Sequence, residues 1–591
     1  MSKKIVILGA GYAGVEAALT LQKKKRESDN IEILLIDKNS YHTLMTELHQ
    51  VAGNRISEDG AIVPLRDIFK YTDVKLIKDE IVTIDFEGNR LASKTAEYGF
   101  DYLIIAGGSE PNYYGIPGLK ENSFPLWSLK DAENIREHIK ECFWAASQEE
   151  DQERVSSLLT FVVGGGGFTG VEVMGEVAHW VKSLCREYGI SRTKVRLVLV
   201  EALPNILSIL DPKSIAKVVN YLTDTLKVEI LRNSAITRLN PDSVELKSGR
   251  KISTNTLIWT AGIKASCVTD DINDAMKGKG CRIIVDEYTR TKYPNVYAAG
   301  DIAAFMTKDG LLPDLVEAAV QTAKTAAKNI LADIRNKQKR ALEPKLHGVM
   351  ISVGGHFAVA DIMGYKLPRC LAIWMKHLVN IHYLFGIGGF ELISKYIKHE
   401  FLYNRQGFVT GRNYSAKILA LWVIPLRLFL GYSWLTEGVG KIKEGWLLKP
   451  LLAGMATDAN SSASVTDTGE KVFRIISENT PQWYAWIVNH LVIPNALIFQ
   501  IIIVLTEIGL GLAFITGTFS FIAGLVSLGL ILNFTLSTGF QESNWWFITG
   551  AICMMGGAGR AYGVDHYLIP YLMRLWRYYI RNNKIKLLLF H

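Results

Sequence analysis

None of the six cysteines (Cys142, Cys185, Cys267, Cys281, Cys370, Cys553) stands in a C-x-x-C pair. Their scatter argues against a dithiol redox motif, a zinc site and a disulfide framework, and it fits a reducing compartment. A long apolar start is missing too: after Met-Ser-Lys-Lys only Ile5–Leu8 precede the first glycine. The segment is therefore expected to be a strand rather than a signal peptide, leaving the N-terminal half in the cytoplasm. There is no Lys/Arg-rich stripe with interleaved aromatics, so the formal charge of +8 does not mark a nucleic-acid binder. An anionic membrane surface suits that charge better. The apolar C-terminal half carries no metal or haem motif and no series of intramembrane carboxylates. No metal and no ion pumping are expected.

At 591 residues the chain exceeds one domain. Its mean hydropathy of +0.14 is unevenly spread. Residues 1–345 read as a soluble α/β protein, and residues 416–560 do not. Two stretches repeat one pattern. In the first, Ile5–Leu8 runs into Gly9-x-Gly11-x-x-Gly14, a helix to about Lys23, and a strand Ile33–Ile36 ending in Asp37. In the second, Leu158–Val163 runs into Gly165-x-Gly167-x-x-Gly170, a helix to about Tyr188, and a strand Val195–Val200 ending in Glu201. The first glycine of each permits a tight turn, the second lets backbone approach a pyrophosphate, and the third lets helix pack on strand. The helix N-terminus favours the phosphate charge, and the terminal acid accepts from a ribose hydroxyl. Two loops imply two dinucleotides held against each other. Glu201 repels a 2′-phosphate, so NADH is expected over NADPH.

Between the loops, the polar and aromatic segment Lys38–His49 follows Asp37 directly, and a loop there would lie along the cofactor. Gln148–Arg154 reads as a solvated linker. Leu257–Ile263 and Val296–Asp301 read as strands entering tight turns, and Val316–Leu331 as a helix holding Gln321. Glu172 stands just past the second loop, where a helix N-terminus favours a carboxylate whatever its chemistry.

The Gly-Gly-Ser at 107–109, Trp-Thr-Ala-Gly at 259–262 and Ala-Ala-Gly-Asp at 298–301 resemble the two-dinucleotide-fold flavoproteins. Within them, Gly-Phe-Thr-Gly-Val-Glu at 167–172, Asp-Lys-Asn-Ser-Tyr-His at 37–42 and Ala-Val-Gln-Thr-Ala at 319–323 resemble type II NADH dehydrogenases over roughly residues 3–410. The resemblance implies hydride transfer from NADH to FAD, then two electrons to a membrane quinone, with no proton pumping. FAD would touch Gly9, Gly11, Tyr12, Ala13, Gly14, Val15, Asp37, Lys38, the Val82 backbone, Asp301 and Val320. NADH would use Gly165, Gly167, Gly170, Glu201 and the turn at Gly262. Glu172 would sit where nicotinamide, flavin and quinone meet, and Gln321 near the quinone head group; these two are the candidate catalytic residues. A second glutamine is frequent in the family just beyond; here those positions read Lys324 and Thr325. Glu176 either extends the acid cluster or faces solvent. His377 is assigned no catalysis. A homodimer is implied by resemblance alone.

The expected architecture is α/β: two Rossmann-like dinucleotide-binding domains, amphipathic membrane-surface helices and a C-terminal four-helix transmembrane bundle. Residues 1–112 and 265–345 would form the FAD domain, 113–264 the NADH domain, 346–412 the surface region and 413–591 the bundle. Residues 365–405 alternate aromatic, aliphatic and basic residues, as interfacial helices do. Spans are expected at about 416–436, 488–514, 519–538 and 545–560, with tryptophans such as Trp422, Trp434, Trp446, Trp483, Trp545 and Trp576 near the interfaces. The basic tail (Arg560, Arg574, Arg577, Arg581, Lys584, Lys586) places the C-terminus in the cytoplasm. This predicts a multi-pass protein of the cell membrane whose loop of about 440–485 faces outside. Residues 427–442 resemble the first helix of DoxX-like membrane proteins. Arg427 and Glu507 fall inside expected spans, as functional groups or as a mutual pair. Membrane-extended forms resemble those serving flavin-based extracellular electron transfer in Gram-positive bacteria, with a menaquinone-type quinone as one acceptor. Two alternatives stand beside this: a sulfide:quinone or other flavin reductase of the same fold, which would need a cysteine pair, and a flavin-regulated transporter or scaffold.

Overall fold

The computed structural model describes residues 2–266, 276–308, 310–402, 423–455, 463–465, 471–477, 480–538, 542–572 and 575. Cys267, Trp422, Trp576, the expected span's beginning at 416–422 and the basic residues Arg574, Arg577, Arg581, Lys584 and Lys586 lie outside the described residues. The chain divides into two compact units, residues 1–416 and 417–585.

The first unit begins with β1 (Lys3–Leu8), α1 (Tyr12–Lys24), β2 (Ile31–Asp37), a short α2 (Leu48–Ala52), β3 (Lys75–Lys78) and β4 (Tyr102–Ile105). Ile5, Val6 and Ile7 are all fully buried. Such unbroken apolar runs form the centre of parallel sheets covered on both faces. The second fold follows as β5 (Phe124–Pro125), β6 (Thr160–Gly164), α3 (Phe168–Glu187), β7 (Arg196–Val200), β8 (Val228–Leu231) and β9 (Thr256–Trp259). Then β10 (Val296–Ala298) returns to the first sheet. Both sheets are five-stranded and parallel, in the orders β10-β4-β1-β2-β3 and β5-β9-β6-β7-β8. The repeat seen in the sequence is thus a repeat of topology. Where the chain crosses between the folds, Ser109–Pro111 pairs antiparallel with Ile263–Ala265.

After α4 (Val316–Ile334) come β11 (Gly348–Ser352), β12 (Ala358–Ile362) and β13 (Tyr365–Leu367), an antiparallel meander, and then the long α5 (Arg369–Ile397), kinked at Gly389. By length and apolarity Arg369–Glu400 could cross a membrane. It buries Leu384, Ile387 and Leu392, but it also buries polar groups and exposes apolar ones. Lys376, His377 and Glu400 are buried, while Leu371, Trp374, Leu378, Val379 and Phe390 are exposed.

The second unit holds α6 (Val423–Lys443), α7 (Ala496–Thr516), α8 (Ser520–Thr538) and α9 (Glu542–Met555). Gln482–Thr516 and Ser520–Ser537 are long and apolar enough to cross a membrane. At 14 residues α9 falls short of the roughly 20 a span needs; it stops before Gly557, whose φ of +91° breaks the helix. The expected 440–485 loop carries a small three-stranded sheet of Leu452–Met455, Lys471–Ile476 and Ala463–Val465. Arg427 and Glu507 do not pair. Arg427 donates to the carbonyls of Ala558 (3.0 Å) and Ala561 (2.9 Å), and Glu507 accepts from Lys441 (2.6 Å).

Candidate active site

Both glycine loops close in the same way. Gly9 N–H donates to the Ile36 carbonyl and Gly165 N–H to the Val200 carbonyl, each at 2.8 Å. Their φ angles, +102° and +110°, lie where glycine sits without strain. A Cβ on Gly14 would stand 1.7 Å from the Gly9 carbonyl oxygen, and one on Gly170 would stand 1.9 Å from that of Gly165. Gly11 and Gly167 instead face open ground, with nothing within 4 Å of a Cβ built on either. Those openings lie at the N-termini of α1 and α3, where free N–H groups and the helix dipole favour a pyrophosphate. The terminal acids brace each loop. Asp37 accepts from the N–H groups of Ala10 (2.6 Å) and Asn39 (2.7 Å). Glu201 accepts from those of Gly166 (2.6 Å) and Leu203 (2.8 Å). Burial raises the Asp37 carboxyl above its ordinary value despite these donors. The residues present therefore fit a dinucleotide at each loop.

An aromatic cluster backs the first loop. The Tyr12 and His42 rings meet edge-on at 4.9 Å, and Tyr12 lies 5.0 Å from Tyr383 of α5. His42 Nδ1 lies 3.0 Å from the Ala10 carbonyl, which can only accept, so Nδ1 carries the proton and Nε2 accepts from the Tyr383 hydroxyl at 3.0 Å. Burial lowers His42 to about 4, so the ring is neutral.

Glu172, early in α3, is 18% exposed. Its Oε1 accepts from the N–H (3.2 Å) and Oγ (3.3 Å) of Ser352 at the end of β11. Its Oε2 lies 3.7 Å from Nδ1 of His49 in α2. Burial pushes the carboxyl up to about 7, against the pull of Lys376 and Ser352. Burial, with the nearby cations Lys376 and Arg55, holds His49 well below its usual value. Lys376 of α5 donates to Ser352 Oγ (3.4 Å) and stands 3.9 Å from Glu47. Glu47 also accepts from Asn380 (2.7 Å), and burial raises its carboxyl. Beside this group Arg55 donates to Glu176 at 3.0 Å and pairs with Glu400. Glu176 is fully buried, so of its two expected placements the solvent-facing one does not occur.

The other expected residues are dispersed around this core. Gln321 spends both ends of its amide on the Lys345 backbone, donating at 2.7 Å and accepting at 2.9 Å. Among the described residues no hydrogen bond or ion pair joins it to the Glu172 group, and its geometry is that of a clamp on the chain after α4. Lys324 faces Glu16 at 3.6 Å, and Thr325 bonds back to the Gln321 carbonyl at 2.9 Å. Asp301 accepts from Ser109 at 2.9 Å; burial, then repulsion from Asp314, raises it. Val320 is half-buried in α4, and Lys38 is exposed. Val82 is 47% exposed. At Gly262 (φ +86°) a Cβ would stand 1.9 Å from the Tyr114 hydroxyl, so Tyr114 covers that turn.

Residues 3–327 match the pyridine nucleotide-disulphide oxidoreductase family. Over 405 residues the chain is 30% identical to the type II NADH:quinone oxidoreductase of Staphylococcus haemolyticus (strain JCSC1435), spanning 66% of this chain and 98% of that protein. The chain belongs to the type II NADH:quinone oxidoreductase family. The Staphylococcus aureus (strain NCTC 8325 / PS 47) member matches at 30% over 400 residues with the same coverage. FAD and NADH are the dinucleotides of this flavoprotein. Among solved structures, NDH2 of Plasmodium falciparum in complex with NADH matches with a TM-score of 0.60 at 18% identity, over 69% of this chain and all of that one. The sulfide:quinone oxidoreductase of Aquifex aeolicus matches with a TM-score of 0.53 at 20% identity, over 67% and 93%. These two likenesses are of fold.

Of the type II oxidoreductase's buried charged cluster, sequence reasoning found Glu172 and Glu176 but missed Glu47, His49, Arg55, Lys376 and Glu400. A signal was present. Lys376 stands within the apolar run Cys370–Leu384, Glu400 follows the end of α5, and Glu47 and His49 end the segment that follows Asp37.

Proposed function

We propose that this chain oxidises NADH and reduces a membrane quinone without pumping ions. FAD would lie on the first loop and NADH on the second. The observation that carries the reading is Glu172: a carboxyl raised to about 7, close to the second loop and joined through Ser352 to Lys376 of α5. Bound FAD supplies the two-electron relay from hydride donor to quinone. The chain's own residues do the rest. Gly11 and Gly167 leave room for the pyrophosphates, and Asp37 and Glu201 hold the loops to which the riboses bind. Glu172 holds a proton near neutral pH at Oε2, beside His49, for delivery to the reduced quinone. The exposed apolar face of α5 would enter the bilayer surface and admit quinone from the lipid. The second unit would anchor the enzyme, with the flavoprotein on the cytoplasmic side. That orientation rests on the basic tail, and a homodimer rests on family resemblance. A menaquinone-type acceptor and an extracellular outlet for electrons rest on the membrane extension alone.

The test is NADH oxidation by the purified full-length protein with ubiquinone-type and menaquinone-type acceptors. Turnover with neither would overturn the reading and favour a flavin-regulated transporter or scaffold.

Two predictions arise from the second loop. Gly167→Ala should leave the unfolding temperature close to wild type, because its Cβ meets nothing, yet raise the NADH KM about tenfold or more by filling the pyrophosphate's space. Gly170→Ala should instead destabilise the fold by roughly 2–4 kcal/mol, because its Cβ meets a backbone oxygen. Equal stability losses in the two variants would contradict the placement of NADH. NADH should also exceed NADPH in kcat/KM by on the order of a hundredfold, one charge repulsion at the ribose. Glu201→Gln should narrow that ratio, measured by hydride-donor kinetics at fixed quinone.

A further inference from the structure

The second unit contains a polar cluster that the flavoprotein chemistry does not use. Helices α6 and α7 close on each other at Gly438, where a Cβ would stand 2.8 Å from Ile508 Cγ1 and 3.3 Å from Glu507 Cβ. The approach buries Glu507 completely. Its Oε1 accepts from Lys441 Nζ at 2.6 Å, while Oε2 has no hydrogen-bond partner among the described residues. Lys441 Nζ also lies 5.6 Å from the Trp446 ring centre and 5.7 Å from that of Phe534. Trp446 is 6% exposed, packs 5.2 Å from the Phe473 ring, and its indole N–H is likewise without a partner among the described residues.

Other buried polar side chains of the unit find partners, although Arg427 Nε too has none among the described residues. Gln500 accepts from Leu451 N–H and donates to the carbonyls of Trp446 and Lys449, and Trp434 donates to Ser527. Lys441 therefore sits between an orphaned acceptor and an orphaned donor, both buried. Such groups are costly to leave unpaired and call for an added partner, water or ligand. Lys441 stands in the last turn of α6, which ends at Lys443, and Trp446 lies just beyond it.

The cluster asks for one group that both donates and accepts, carried on a ring that packs among aromatics. A phenolic hydroxyl meets this description. Placed here it would donate to Glu507 Oε2 and accept from Trp446 N–H or a Lys441 N–H, with its ring among Trp446, Phe473 and Phe534. A quinone carbonyl meets the two donors. We propose that Lys441, Trp446 and Glu507 form a second head-group site for a lipid-soluble quinol or quinone, within the membrane unit and separate from the flavin site. This rests on the reading of the chain as a quinone reductase. The site is a binding site, and no bond or electron transfer is assigned to it.

The experiment uses full-length protein in lipid nanodiscs with a photoreactive azidoquinone bearing an isoprenoid tail, followed by peptide mapping. Adducts are expected in two places: on flavoprotein peptides, and on peptides containing Lys441, Trp446 or Glu507. Glu507→Gln and Trp446→Phe should each reduce the second set about tenfold, the loss of one buried hydrogen bond to a charged or indole partner. Both should leave the first set, and the turnover of NADH with a short-chain soluble quinone, unchanged. Trp446→Phe keeps an aromatic ring at the position while removing the N–H with the smaller ring of the indole, so it tests the site even if Glu507→Gln fails to fold. Adducts confined to the flavoprotein peptides while turnover persists would overturn the inference and leave buried water as the partner of Glu507. Absence of all adducts together with absence of turnover would instead overturn the quinone reading on which it rests.

Discussion

Glu172→Gln is expected to lower kcat/KM for the quinone by about a hundredfold or more, the usual worth of a positioned proton donor. The wild-type rate should fall as pH rises through about 7, where Glu172 loses its proton, and the variant should show no such break. A break near 7 that survives in Glu172→Gln would move the proton-donor role to another group. A stability measurement checks the same carboxyl without relying on turnover. In the folded protein Glu172 titrates at about 7, above the about 4.3 of a free glutamate. Between those values the folded chain holds a proton that the unfolded chain has released. The group's contribution to stability is therefore full at low pH and is lost as pH rises through about 7. Glutamine cannot ionise. At pH 8 the variant should be more stable than wild type, by at most about 4 kcal/mol, and at pH 4 the two should unfold nearly together.

Arg55→Met should have the largest effect on folding. Arg55 holds two buried carboxylates, Glu176 at 3.0 Å and Glu400. Removing Arg55 leaves Lys376 as their remaining counter-charge, and breaking a buried pair in this way costs about 3–5 kcal/mol. The pH dependence should change as well. Burial alone would raise Glu400, but Arg55 and Lys376 outweigh it and hold the carboxyl below its usual value. In wild type that contribution is present above the ordinary carboxylate range and is lost on acidification. Without Arg55, burial dominates, and the variant should be least stable at neutral and alkaline pH and recover as pH falls. Adding Glu176→Gln and Glu400→Gln to Arg55→Met should restore most of the loss, because neutral amides carry no buried charge. Thermal unfolding of the full-length protein across pH 5–8 reads both effects. A single variant within about 1 kcal/mol of wild type would mean that the triad is solvated in solution.

Gln321 shows where local reading stopped short. Its position in α4 was legible from helical spacing and resemblance, but its amide partner, the Lys345 backbone, lies beyond the helix in a segment without periodicity. A side chain's partner across a turn has no sequence signal. The membrane-unit charges show the same limit. Arg427 and Glu507 were both visible as charges in apolar segments, but whether they met depended on helix packing. They find carbonyls and Lys441 instead.

The sequence by itself determined the two dinucleotide loops, their terminal acids and the position of Glu172. Each of those is local: strand, glycine turn, helix and acid follow one another along the chain, and backbone sterics decide the result. Tertiary structure alone decided the chemistry around Glu172. Residues 49, 55, 172, 176, 352, 376 and 400 meet only because α2, α3, β11 and α5 pack together. It is the burial from that packing, more than any neighbouring charge, that carries an ordinary carboxyl to about 7.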